Sequence, residues 1–183
     1  STEAYEETDK IIDTAKINNI PVQFERITRE EFLSLFKNDG CDLLISAGYP
    51  YKIPVKNDDN YKCINIHPSY LPYGKGNWPL PFAILREEKH WGVTIHKLNE
   101  KFDEGNILIQ KKFRLKKNET TDTLLSKCSY QARFLLFKFL RKPNFYLYNA
   151  LPQGKGEYLR LTEDMFTITD KTSSENAKKI MRA

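Results

Sequence analysis

The stretch Cys63-Ile64-Asn65-Ile66-His67-Pro68-Ser69-Tyr70-Leu71-Pro72 constrains this chain more than any other. It opens as a short apolar strand and breaks into a loop punctuated by Pro68, Pro72, Gly74 and Gly76. Successive side chains of a strand alternate faces, so Asn65 and His67 share one. Asp103 stands further on, in a short acidic loop of its own. An amide, an imidazole and a carboxylate at strand ends can stabilise an oxyanion and move a proton. Each alone has a plainer reading: Asn at a strand end is a turn former, and a lone His is more often structural.

The rest of the chain alternates helical and extended patterns. Ile11, Ile12 and Ala15 recur at helical spacing over 3–18. Residues 21–24 read as a short strand. Thr28 with Glu31 forms a capping box that opens a helix to about residue 38, burying Phe32, Leu35 and Phe36. The apolar run at 41–46 fits a strand covered on both faces. Loop follows over 47–59, then a strand over 61–67. The loop at 67–78 is long enough to suggest function. A helix is expected over 79–87, a strand over 91–98, a loop over 99–105 and a strand over 106–113. Thr121 begins a helix of about twenty residues that Lys142-Pro143 ends. Its aromatic side chains Phe134, Phe137 and Phe139 suit a core or a subunit interface. The tail carries a turn near Gly154, a short strand over 157–161 and a last helix from Ser174. This alternation predicts an α/β fold, a Rossmann-like, mainly parallel sheet with helices on both faces, whose ligands sit beyond the strand carboxyl ends. Residues 1–143 are expected to form the main domain, with 144–183 an extension packed on it.

With 183 residues, 40% of them hydrophobic and 29% charged, the chain can bury a substantial core. A net charge of +5 suits an anionic ligand, but the lysines are scattered and form no stripe of the kind nucleic-acid binders show. Cys41, Cys63 and Cys128 stand far apart, without metal-ligand spacing, as reduced thiols of a cytoplasmic protein do. No metal-ligand cluster and no membrane-spanning run are visible. The acidic, polar start over 1–10 is unlike a secretory signal.

The chain resembles the folate-dependent formyltransferase family, over about 41–110 most closely. The family's Asn-x-His ahead of a Ser-Leu-Leu-Pro loop is matched by Asn65-Ile66-His67 and Ser69-Tyr70-Leu71-Pro72. Its basic residue and Gly, with a Pro three residues on, are matched by Lys75, Gly76 and Pro79. Its Gly-Val-Thr and Asp-x-Gly-x-Ile are matched by Gly92-Val93-Thr94 and Asp103-Glu104-Gly105-Asn106-Ile107. The order and spacing of these motifs carry the resemblance. It implies that Asn65, His67 and Asp103 are the catalytic trio and that N10-formyltetrahydrofolate is the formyl donor, with no metal required. It implies that the pterin lies against Tyr51, Lys52 and Ile53 and against Lys101 and Phe102, although Pro50-Tyr51-Lys52 departs from the family pattern. The family's opening strand has no counterpart at the start of this chain, so residues upstream of Ser1 are expected in the full protein.

Tyr70, Trp78 and the segments 153–158 and 180–183 look most like sugar N-formyltransferases, which act on nucleotide-linked amino sugars in surface-polysaccharide biosynthesis. A methionyl-tRNA formyltransferase adds a second, basic domain, which this chain is too short to hold. The expected partner is therefore a small-molecule amine, with no nucleic acid and no membrane, and a homodimer is a candidate assembly. Lys75, Asn77 and Trp78 could contact the sugar nucleotide, Lys75 through phosphate and Trp78 through a ring. A solvated loop with one aromatic anchor accounts for them equally well. His96 could line the substrate side, while His90 is expected at the surface. In the expected mechanism Asn65 and a protonated His67 stabilise the oxyanion, and Asp103 pairs with His67 and accepts the amine proton. Two other readings stay open, a glycinamide ribonucleotide formyltransferase and a non-catalytic relative that only binds folate or nucleotide.

Overall fold

A computed structural model describes residues 2–57, 60–160 and 162–183. Helices α1 (Thr2–Ile17) and α2 (Arg29–Lys37) precede β1 (Leu44–Ala47) and β2 (Cys63–His67). Helix α3 (Pro79–Leu85), strands β3 (His90–Lys97) and β4 (Ile107–Arg114), and the long helix α4 (Thr121–Arg141) follow. Helices α5 (Pro143–Tyr148) and α6 (Ser174–Arg182) complete the chain. The four strands form one sheet in the order β1-β2-β3-β4. The α/β, Rossmann-like architecture is as expected, but the sheet is mixed rather than mainly parallel. Only β1 and β2 run parallel, whereas β3 is antiparallel to both β2 and β4.

The physical reason lies in the connections. A parallel crossover must carry the chain back along the full strand, which takes about a dozen residues or more. The loop between β3 and β4 is shorter than that, so the two strands pair as a hairpin. Between β2 and β3 the chain spends its length on the irregular 68–78 loop and on α3. That helix is about 10 Å long and packs on α4 and α6. The chain therefore re-enters the sheet at the end where β2 stopped. This reversal sets Asn65 opposite His96 and His67 opposite Thr94.

Helices cover both faces. On one side Ile64, Val93, Ile95 and Leu108 pack against Leu124, Cys128, Leu135 and Phe139 of α4 and Phe82, Ala83 and Ile84 of α3. On the other, Cys63 and Val55 pack with Phe32 of α2. Phe32 meets Tyr61 and Phe36 edge-on, at centroid distances of 5.7 and 5.4 Å. The capping box is present as read: Thr28 accepts from the Glu31 amide while the Glu31 carboxylate accepts from the Thr28 amide. Phe139 is fully buried, but Phe134 and Phe137 lie exposed on the outer side of α4. Phe139→Ala is expected to cost about 3–5 kcal/mol of stability, read from the urea midpoint of the purified protein.

Other expectations need correction. Residues 21–24 form no strand, since no neighbouring strand among the described residues offers them hydrogen bonds, and Val22 and Phe24 are exposed. Pro143 ends α4 and also opens α5, a helix the sequence pattern does not announce; at the first position of a helix Pro costs nothing. Of the strand read over 157–161, only a bridge between Tyr158 and Lys75 forms, and Leu161 lies outside the described residues. So do Ser1 and, in the loop read over 47–59, Asp58 and Asp59. No helix of the described residues is long and apolar enough to cross a membrane.

Candidate active site

Three polar side chains from distant parts of the chain meet on one face of the sheet. His67 Nδ1 lies 3.4 Å from Asp103 Oδ1, and Asn65 Nδ2 lies 3.5 Å from the same oxygen. His67 and Asp103 are buried and Asn65 is half-buried. His96, fully buried, joins them: its Nε2 is 3.2 Å from Asn65 Nδ2 and 3.5 Å from Asp103 Oδ1.

The backbone decides the ring tautomers. His67 Nε2 sits 2.7 Å from the Gly74 carbonyl, so this nitrogen carries a proton and donates it. Burial pushes the imidazole below its ordinary pKa, against the pull of the Asp103 charge and the Gly74 carbonyl. The resting ring is then neutral, with the Nδ1 lone pair directed at the site. His96 Nδ1 likewise donates to the Lys97 carbonyl at 2.8 Å, leaving its Nε2 to accept from Asn65. One Asn65 N–H is thereby committed, and the other makes only a long contact with Asp103. Burial acts to raise the Asp103 pKa, but the His96 contact, the attraction to His67 whenever that ring is protonated, and the Gly76 amide outweigh it, and the carboxyl sits below its usual range. The Gly76 amide donates to Asp103 Oδ2 at 2.8 Å.

These shifts have a definite sign. A base whose folded pKa is depressed adds stability that is complete above its unfolded value, about 6.5, and lost below it. A depressed carboxyl adds stability present above about 3.9 and lost as pH falls through the folded value. The thermal midpoint is therefore expected to fall as pH is lowered from 7 to 5, chiefly through His67. A midpoint flat over that range would contradict the neutral assignment.

Loops hold this geometry. Thr94, fully buried, accepts from the Leu71 amide at 3.1 Å and donates to the Ser69 carbonyl at 2.8 Å. Trp91 Nε1 donates to the Pro68 carbonyl at 2.7 Å. The 68–76 loop is thus sewn to β3, which aims the Gly74 carbonyl and Gly76 amide. Gly105 admits no side chain, because a Cβ there would overlap the Lys97 carbonyl. Asp103 has φ of +54°, a conformation Asp tolerates better than most residues. A bulge in the β3–β4 pairing at Ile95 and His96 lies beside the site, where bulges re-aim side chains.

The remaining candidates are placed unevenly. Tyr51 and Lys52 are exposed on the loop after β1, with Arg26 over the Tyr51 ring, and Ile53 packs against the Phe32 cluster. That loop is tied to the loop carrying Asp103 by reciprocal 3.3 Å bonds between Asn57 and Glu100. Lys101 is exposed and pairs with Glu104 at 3.5 Å, and Phe102 is half-exposed. Tyr70 is half-buried with Lys112 over its ring. Asn77 and Trp78 are exposed, with no contact to the trio among the described side-chain interactions. Lys75 is not a free cation: it is 4% exposed and its Nζ lies 3.7 Å from Glu104. A phosphate would have to displace that partner. The sequence marks 153–158 only as a segment resembling sugar N-formyltransferases; that Gln153 and Tyr158 bond the Asp103 loop leaves no local pattern, because the partners lie about fifty residues apart. Cys128 is an inert core thiol, its pKa pushed up to about 12 by burial.

Comparison with known proteins places this geometry in context. A family model described as "Formyl transferase" matches residues 3–140. The methionyl-tRNA formyltransferase of Ehrlichia ruminantium (strain Welgevonden) is 32% identical over 162 residues, covering 87% of this chain and 52% of that protein. That of Wolbachia sp. subsp. Drosophila simulans (strain wRi) is 39% identical over 109 residues, covering 58% of this chain and 36% of its own length. The chain thus spans about half the length, or less, of these curated relatives. Among solved structures, a 4-N formyltransferase from Francisella tularensis superposes with a TM-score of 0.75 at 23% identity, over 97% of this chain and 73% of that one. PseJ from Anoxybacillus kamchatkensis, solved with UDP-4,6-dideoxy-4-formamido-L-AltNAc and tetrahydrofolate, gives 0.68 at 25% identity, over 89% and 87%. Since the matched 3–140 stretch includes every strand of the sheet and the loops that bring Asn65, His67 and Asp103 together, the chain belongs to the formyl transferase family.

Proposed function

We propose that this chain transfers a formyl group from N10-formyltetrahydrofolate to the primary amine of a nucleotide-linked amino sugar, using Asn65, His67 and Asp103. The observation that carries the reading is the approach of His67 Nδ1 and the Asn65 amide nitrogen to one oxygen of Asp103, at 3.4 and 3.5 Å. The donor set fits a formyl group: an N–H for its oxygen stands beside an acceptor for the proton of an attacking amine.

The donor supplies an amide-like carbonyl, whose oxygen becomes negative as the amine adds. The Asn65 N–H that makes only the long contact with Asp103 donates to that oxygen, while the bond to His96 Nε2 fixes the amide plane. His67 takes the amine proton at Nδ1. The imidazolium so formed is satisfied at both ends, by the Gly74 carbonyl and by Asp103. This reverses the expected assignment, in which His67 begins protonated. Asp103 stabilises the cation rather than taking the first proton. As the oxyanion collapses the carbon–N10 bond breaks, the imidazolium returns its proton to N10, and tetrahydrofolate leaves with His67 neutral again. Residues 51–53 and 101–102 take the pterin, and Tyr70 and Trp78 flank the acceptor. In this reading residues 1–143 make the catalytic unit and 144–183 an extension packed on it. The rate should fall in acid as His67 protonates, with a limb below pH ~6.5.

The identity to methionyl-tRNA formyltransferases favours a second reading in which the acceptor is methionyl-tRNA. The full-length protein should be incubated with N10-formyltetrahydrofolate and, separately, with UDP- and dTDP-amino sugars, methionyl-tRNA and glycinamide ribonucleotide. Release of tetrahydrofolate and a formylated amino sugar by mass spectrometry is the expected result. Formylation of the tRNA alone would select the second reading, and no formylated product at all would defeat both.

A further inference from the structure

Asp103 occupies a left-handed backbone conformation in a loop, yet its carboxylate must be held within a few tenths of an ångström to serve His67. Inside the loop the Lys101 amide donates to Asn99 Oδ1 at 3.0 Å, and at its base the Lys97 amide donates to the Asn106 carbonyl at 2.9 Å. Further bonds come from the tail. Gln153 Nε2 donates to the Asp103 carbonyl at 2.9 Å and to the Gly105 carbonyl at 2.6 Å. Tyr158 donates its hydroxyl to the Phe102 carbonyl at 2.6 Å. Three carbonyls around Asp103 are therefore gripped by two side chains far downstream. The same segment grips the opposite wall, since the Leu159 amide donates to the Lys75 carbonyl at 2.8 Å, next to the Gly76 amide that binds Asp103. Gly156 passes so close to Pro72 that a Cβ would overlap its carbonyl. Arg86, at the C-terminal cap of α3, clamps Glu157 with two 2.8 Å bonds.

The chemistry of the two grips is specific. Gln153 spends its donors on two carbonyls while its buried Oε1 has no partner among the described residues, so the side chain is held there by its N–H groups. Burial and the neighbouring Glu104 push the Tyr158 pKa up to about 12, so its hydroxyl stays a donor. The Lys75 ammonium lies 5.5 Å from the Tyr158 ring centroid and 3.7 Å from Glu104, a buried charge over which the segment closes.

We propose that the 153–159 segment is a strap that positions the Asp103 loop, with Gln153 and Tyr158 as positioning residues for the transfer reaction. The inference rests on the functional reading above. Gln153→Met keeps the length of the side chain and removes both N–H groups. Tyr158→Phe removes the hydroxyl and keeps the ring over Lys75. The full-length variants would be measured for kcat, for KM toward the amine, for the pH–rate profile and for thermal midpoint. The chain's three histidines would be titrated by NMR.

Gln153→Met is expected to lower kcat by up to about 10²-fold, the scale of an ångström-level misplacement, with KM for the amine unchanged. Tyr158→Phe should act in the same direction and less. The charged and titratable groups around Asp103 are His67, His96, Lys75, Glu104, Lys101 and Tyr158. Of these, His67 reports Asp103 most directly, since the carboxylate favours its imidazolium. With Asp103 released, the His67 midpoint should move down. Unchanged kcat and an unchanged His67 titration would overturn the proposal. So would an activity loss accounted for wholly by a lower folded fraction. If the unmodified protein forms no product with any acceptor, the functional reading fails, and the His67 titration alone decides the strap.

Discussion

His67→Asn is expected to lower kcat by about 10²–10⁴-fold, the usual contribution of a positioned proton acceptor. Asparagine has about the reach of an imidazole to its near nitrogen. Its amide stands where Nδ1 stood, beside Asp103, and adds no charge, while the Gly74 carbonyl that Nε2 reached loses its donor. The amide has no lone pair basic enough to take a proton from an amine. Folate binding should survive, because the 51–53 and 101–102 segments do not lean on the His67 ring. The acid limb of the pH–rate profile should disappear together with the rate. A variant that keeps the full rate would remove His67 from the mechanism. One that loses rate and folate binding in parallel would make the ring a packing residue.

Asn65→Leu tests the other half of the site, with an expected loss of about 10²–10³ in kcat, the cost of one oxyanion donor. Leucine is close to asparagine in shape, so the strand should keep its register opposite His96. The substitution strips the donor from the developing oxyanion and also leaves His96 Nε2 without its N–H partner. The two effects separate in the kinetics. Loss of transition-state stabilisation lowers kcat with KM for the donor little changed, whereas a disordered His96 raises KM as well. A donor KM that rises with no change in kcat would make Asn65 a binding residue and leave the oxyanion to another group.

Much of this site was legible before any fold was known. The period-two spacing puts Asn65 and His67 on one face whatever the strand pairs with. The Asp103-Glu104-Gly105 spacing has a local cause, since Gly105 must pass the Lys97 carbonyl. Lys75 shows the limit of such reading. A lysine in a glycine-rich loop reads as a free cation for phosphate, and only the approach of Glu104 and Tyr158 from elsewhere buries it. The protonation of His67 has the same kind of cause. The Asp103 charge can be anticipated from motif order, but the desolvation that outweighs it depends on the 68–76 loop closing over the ring. Strand direction failed at the β3–β4 turn, where the short connection should have signalled a hairpin ahead of the general α/β pattern.

What residue order alone determined was therefore local: the faces of strands, the capped start of α2 at Thr28, the stop at Pro143, and which polar groups stand at strand ends. These follow from backbone geometry and nearest-neighbour hydrogen bonds, which act over a few residues. What only the tertiary structure decided was the antiparallel pairing that sets Asn65 against His96, the neutral state of His67 and the grip of Gln153 and Tyr158 on Asp103. Each of these depends on burial or on a partner far along the chain, and neither can be summed from local sequence.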